Sequence, residues 1–182
     1  GGLVQSIGTQ TANLVAGGDE STANTAKTES WNGSSWTEVN DLNTGRSILA
    51  EIGTQTAGTV AGGNVYPTPG YQAVHEQWNG SSWTETTDLN TARSRVIGSG
   101  VQTSAIVYGG EVSGGGTTVN TEVWNGSAWT EVNNMATARY SGSSTPAGSS
   151  ETALFAGGYT GTAFTGATEE WAFSGTPPAA PI

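Results

Sequence analysis

Polar and apolar positions along this chain recur with a period of 46 or 47 residues, and that beat sets its organisation. Short apolar runs, Thr59-Val60-Ala61, Ala105 to Tyr108 and Ala153 to Ala156, each end at a Gly-Gly pair. The pairs are Gly17-Gly18, Gly62-Gly63, Gly109-Gly110 and Gly157-Gly158. A brief apolar run bounded by turn residues reads as a strand buried on both faces. Trp-Asn-Gly-Ser-Ser-Trp follows at 31–36 and 78–83, with a near copy at 124–129 in which Ala128 replaces the second Ser. Trp171 opens a fourth, degenerate copy. The Asn-Gly steps predict hairpins, since both residues tolerate positive φ. Each unit therefore reads as four short strands, a to d. Strand a follows an Arg (near Ser47 to Gly53 in the second unit), b ends at the Gly pair, c ends at the first Trp and d carries the second. Helical periodicity is absent.

A small twisted four-stranded sheet cannot bury both faces alone, whereas sheets stacked radially can, which predicts an all-β propeller. With Arg46, Arg93 and Arg139 before strand a, Gly-Gly after strand b and two aromatics closing the unit, the chain resembles the kelch β-propeller family. It departs from the family in carrying Trp at 31, 78, 124 and 171, where Tyr is commoner. It is also similar to kelch-like repeats in predicted virion and fibre proteins of marine bacteriophages. The resemblance implies about four blades, at 1–41, 42–88, 89–134 and 135–175, with a Pro-rich tail at 176–182. Residues 1–8 align with strand a, and no second Trp follows Trp171. The expectation is four consecutive blades that do not close through a strand d donated by their own N-terminus. Further residues or another chain would complete the ring.

Composition narrows the function. The formal charge is −10, with Lys27, Arg46, Arg93, Arg95 and Arg139 as the basic residues. Nucleic-acid binding needs a basic surface and is not expected. No apolar run is long enough for a membrane helix. Cysteine is absent, so there is neither a disulfide framework nor a thiolate. The copper oxidases built on kelch-type repeats need Tyr, His and Cys ligands, and His75 is the only histidine here. A Ser–His–acid set is equally short of bases. The expectation is a protein without catalytic residues, metal or cofactor.

Glu29, Glu76, Glu122 and Glu169 each precede a leading Trp by two residues and share its strand face. The first three are each followed by a repeat Arg 17 residues later. These carboxylates read as Glu–Arg pairs tying neighbouring strands or blades, in preference to a cation-binding ring. Glu38, Glu85 and Glu131 read as charges protecting an exposed sheet edge. His75 has Thr28, Thr121 and Thr168 as counterparts and reads as ordinary strand surface. Asn32, Asn79 and Asn125 head glycosylation-type triplets that the hairpin turn already explains.

Variety concentrates in the b-to-c connections, and loops on a rigid scaffold are where binding resides. Asp19, Glu20, Tyr66, Tyr71, Glu111, Tyr159 and Phe164 are the candidate ligand-binding residues. Aromatic faces suit the C–H faces of sugars, and carboxylates accept hydrogen bonds from hydroxyls. The leading expectation is an extracellular or virion-borne module recognising a surface glycan or protein. The alternatives are a structural repeat contacting neighbouring virion or filament subunits, and an intracellular kelch adaptor. The aromatic loops belong to units two and four, a separation that favours a long or multivalent ligand.

Overall fold

The computed structural model describes residues 6–20, 22–66, 70–144 and 149–172. The protein is all-β, with several small antiparallel sheets and no helix among the described residues. Sheet one runs Ile7–Gly8, Asn13–Ala16, Thr28–Trp31, Trp36–Val39 as strands a to d, each paired with the next. Sheet two is Ala50–Thr54, Ala57–Ala61, His75–Trp78, Trp83–Glu85, and sheet three is Ile97–Val101, Ser104–Tyr108, Thr121–Trp124, Trp129–Glu131. Sheet four has strands a to c: Ser143–Ser144, Thr152–Ala156 and Thr168–Ala172. Ile7 and Gly8 pair with Leu14 and Asn13, so the chain enters sheet one as a strand a. Residues 1–5 of that expected strand, and the 176–182 tail, lie outside the described residues.

The hairpins form as expected, but by a different turn. Trp31, Trp78 and Trp124 pair directly with Trp36, Trp83 and Trp129, which leaves four-residue loops between them. Only the glycines, Gly33, Gly80 and Gly126, take positive φ. Each Asn instead turns its side-chain oxygen inward. Asn79 Oδ1 accepts hydrogen bonds from the Ser81 and Ser82 backbone N–H groups at 2.9 Å each. This local satisfaction of loop donors is why Asn, and not merely a flexible residue, recurs there.

Apolar cores sit between sheets, as the alternation along strand b requires. In sheet two, Val60, Trp78 and Trp83 face sheet one and pack on Ile7, Leu14, Ala16 and Leu42. Ala61 faces the other way, where Ala105, Val107, Trp124 and Trp129 of sheet three cover it together with Ala50, Ile52 and Leu89. Ala153 and Phe155 of sheet four complete a third core with Ile97, Ile106, Tyr108 and Val123. Sheets two, three and four thus each present a tryptophan-bearing front face to the back of the preceding sheet. The a strands adjoin in the same order, one to two, two to three and three to four.

Buried ion pairs latch this stacking, in a register the sequence spacing did not suggest. Glu76 pairs with Arg46, and Glu122 with Arg93 at 2.8 Å. Each Glu thus takes the Arg about 30 residues upstream, at the entrance to its own unit, and not the Arg 17 residues downstream. Asn43 and Asn90 complete the grip: the Asn90 backbone N–H and Nδ2 both reach Glu122 Oε2, at 2.7 and 2.8 Å. Arg139 Nη2 lies 2.9 Å from Glu169 Oε1, at ion-pair distance without hydrogen-bond alignment. These donors occupy the Glu76 and Glu122 carboxylates. Glu29, the first of the series, is exposed.

The glycine pairs explain themselves through the same connection. A Cβ on Gly17, Gly62 or Gly109 would stand 2.3, 2.6 or 2.4 Å from the carbonyl oxygen of Arg46, Arg93 or Arg139. The second glycine of each pair donates its N–H to that same carbonyl, at 2.9, 2.9 and 3.1 Å. One arginine therefore holds its own unit by its guanidinium and the preceding unit by its backbone.

Candidate binding rim

The b-to-c connections fold into small hairpins that touch in succession. Asp19–Glu20 pairs with Ala23–Asn24, which leaves both carboxylates exposed. Asn24 then reaches the next unit, donating from Nδ2 to Ser47 Oγ at 2.8 Å and accepting the Tyr66 backbone N–H at Oδ1. Tyr66 is half exposed (50%) at the end of the second hairpin, Asn64–Val65 with Gly70–Tyr71. Pro67 and Pro69, part of the same expected loop, lie outside the described residues. Further along, Thr117 Oγ1 donates to the Thr160 carbonyl at 3.4 Å, which joins the third connection to the fourth.

Between Tyr71 and Phe164 runs a continuous chain of contacts. The Tyr71 hydroxyl bonds to Glu111; burial first, and then the Glu111 charge, push its phenol pKa up. Glu111 Oε2 accepts from Arg95 Nε at 2.9 Å. The Arg95 guanidinium stands 5.2 Å from the Tyr140 ring centroid, close enough for cation–π attraction. Tyr140 meets Tyr159 at 5.5 Å between ring centroids, and Tyr159 meets Phe164 edge-on at 5.1 Å. Phe164 is 86% exposed. The aromatic loops of units two and four, expected to stand apart, are therefore bridged through unit three.

All seven expected residues lie on these hairpins, but their roles divide. Tyr66 and Phe164 are the large exposed apolar surfaces, and Asp19 and Glu20 are exposed acceptors. Glu111 is committed to Arg95 and Tyr71, so it orients its neighbours and is no free acceptor. Sequence reasoning missed Arg95 and Tyr140. Arg95 occupies the left-handed position two residues after the repeat Arg, φ 54°, where the other units have Ile48 and Ser141. Tyr140 replaces Ser47 and Ser94 one position earlier. A residue that breaks the repeat at a structurally fixed position was the available signal.

Two further sites depart from expectation. His75 is not strand surface: it is fully buried beneath Trp129, and burial lowers its pKa to about 4. Glu51 lines a cavity of ≈ 360 Å³ with Ser6, Ile7, Thr9, Gln55 and Ser99 among its walls. Burial raises the Glu51 pKa well above the carboxylate range, although an Ala16 backbone hydrogen bond opposes this. Glu51 has Gly98 and Ser144 as repeat counterparts, another break in the pattern. Among the described residues no group of three or more His, Cys, Asp or Glu side chains could hold a metal ion.

Compared with known proteins, the chain matches no protein-family model and no curated protein sequence.

Proposed function

We propose that this chain is a non-enzymatic binding module, a β-propeller of kelch-like blades acting outside the cell or on a virion. Its b-to-c rim recognises a surface glycan or protein, and a neutral polysaccharide fits it best. The observation that carries this reading is the unbroken run Tyr71, Glu111, Arg95, Tyr140, Tyr159, Phe164 across three units. Core packing between sheets uses none of these side chains, so folding leaves the run unexplained. Rigidly braced aromatic faces bind sugar rings at little entropic cost, and spacing along a rim lets weak subsites add on one polymer. An acidic surface of this kind disfavours anionic polymers and leaves neutral ones.

A glycan array tests the reading, comparing the wild-type chain with Tyr66→Ala/Phe164→Ala. Both residues are exposed, so the variant keeps its fold. Loss of a neutral-polysaccharide signal in the variant supports the proposal. Binding that survives unchanged, or no wild-type binding to any surface polymer, moves the function to a structural repeat module.

A further inference from the structure

The boundaries between sheets one and two and between sheets two and three each join a front face bearing two tryptophans to a back face bearing apolar residues. Between sheets one and two, Val60, Trp78 and Trp83 meet Leu14 and Ala16, and Trp83 Nε1 donates to Thr28 Oγ1 at 2.9 Å. The front of sheet one carries the same set in the same register: Val15, Trp31 and Trp36. The back of sheet four repeats the other half residue for residue, as Leu154, Ala156 and Thr168. Among the described residues, neither half is packed on another sheet. Trp36 is 47% exposed, against 6% for Trp83 and 5% for Trp129. Thr168 is exposed, while Thr28, His75 and Thr121 are buried.

We propose that the front of sheet one docks onto the back of sheet four of a second copy of this chain, head to tail. The contact reproduces the boundary between sheets one and two, with Trp36 on Thr168 and Trp31 and Val15 against Leu154 and Ala156. Because the two faces differ, the contact is heterologous, and copies add in a ring or a row. Arg139, in the partner's fourth unit, is held against Glu169 of that unit, so the contact reproduces the apolar boundary and not the Arg46–Glu76 ion pair. Both chains carry the same net negative charge, so salt strengthens the association by screening their repulsion. The inference does not rest on what the b-to-c rim binds, and a blank glycan array leaves it untouched.

Sedimentation velocity over a concentration series tests it with the full chain and two variants at exposed positions, Trp36→Ala and Thr168→Arg. The wild type is expected to associate, more strongly at high salt. Each variant alone should self-associate about thirty-fold more weakly or worse, as for loss of an aromatic anchor at a contact centre. An equimolar mixture of the two should recover a dimer, since one retains its back face and the other its front. A wild type that stays monomeric at every concentration overturns the proposal. So does association that persists in both variants, or a mixture that fails to dimerise while the wild type associates.

Discussion

Trp129 donates its indole N–H to His75 Nδ1 across the boundary between sheets two and three, at 3.2 Å. Nδ1 also meets Thr86 Oγ1 at 2.7 Å and the Thr87 carbonyl at 3.2 Å, and Nε2 faces Thr59 Oγ1, so both ring nitrogens are held inside the boundary. The ring also lies edge-on to Trp124, 4.5 Å between centroids. Burial in this apolar boundary disfavours the charged ring.

His75 therefore makes the fold acid-sensitive. Its pKa falls from 6.5 to about 4 on folding, chiefly through burial. The unfolded chain thus binds the extra proton first, and stability is complete above pH 6.5 and lost as pH falls toward 4. The whole shift is worth about 3 kcal/mol. Thr is the residue the other units use here, and it can accept the indole N–H as Thr28 does. His75→Thr should flatten the stability slope between pH 6.5 and 4 in urea titrations, whatever it costs at neutral pH. An unchanged slope would sink the assignment.

Removing one partner of the Arg93–Glu122 latch should destabilise by about 3–5 kcal/mol, since the survivor stays buried and charged. Glu122→Gln and Arg93→Met test this by chemical denaturation. The double variant Arg93→Met/Glu122→Leu should recover much of the loss, because no lone charge remains. Equal melting of Glu122→Gln and wild type would refute the latch.

Much of this architecture was legible in the sequence because repeats betray themselves. Trp78 and Gly62 recur in register, and their spacing alone predicts strands, hairpins and four units. The Glu–Arg relationship was half legible: periodicity showed that both charges repeat together, but a period cannot say which copy pairs with which. Arg46 reaches Glu76 only because the connection folds back across its own sheet's strand c. The rim was legible as variable loops, yet Arg95 and Tyr140 lie outside those loops, just after the repeat Arg, and were not singled out. His75 was misread because Thr at three equivalent positions suggested solvent. Those threonines are themselves boundary residues, with Thr28 and Thr121 buried and Thr28 accepting a tryptophan N–H.

Gly109→Ala should be among the most damaging single-methyl changes. The new Cβ would stand 2.4 Å from the Arg139 carbonyl oxygen, which is fixed backbone, at a φ of 62°. Gly157→Ala is the matched control: it has a similar φ of 69°, but its nearest neighbour, the Thr165 carbonyl, is 3.4 Å away. The control should cost about 1 kcal/mol for its left-handed backbone alone. Gly109→Ala should cost clearly more, because the carbonyl it strikes also accepts the Gly110 N–H. Thermal melts of the two variants decide it, and equal losses would mean that the φ angle, not the close approach, requires glycine.

Glu51 should be a liability at neutral pH that glutamine removes. Its carboxyl is buried, and burial raises its pKa well above the ordinary range. A raised folded pKa means that stability is complete below the unfolded pKa, near 4.3, and declines as pH rises toward the folded value. Glutamine keeps an oxygen for the Ala16 backbone donor and carries no ionisable proton. It also places an amide where Glu51 Oε2 now has no hydrogen-bond partner. Glu51→Gln should therefore match the wild type below pH 4 and exceed it increasingly through neutral and alkaline pH. Denaturant titrations at several pH values read this difference directly. The opposite sign at neutral pH would show that the ionised carboxylate is used. Wild-type stability that rises with added divalent cation, and not in the variant, would assign that use to metal binding in the cavity.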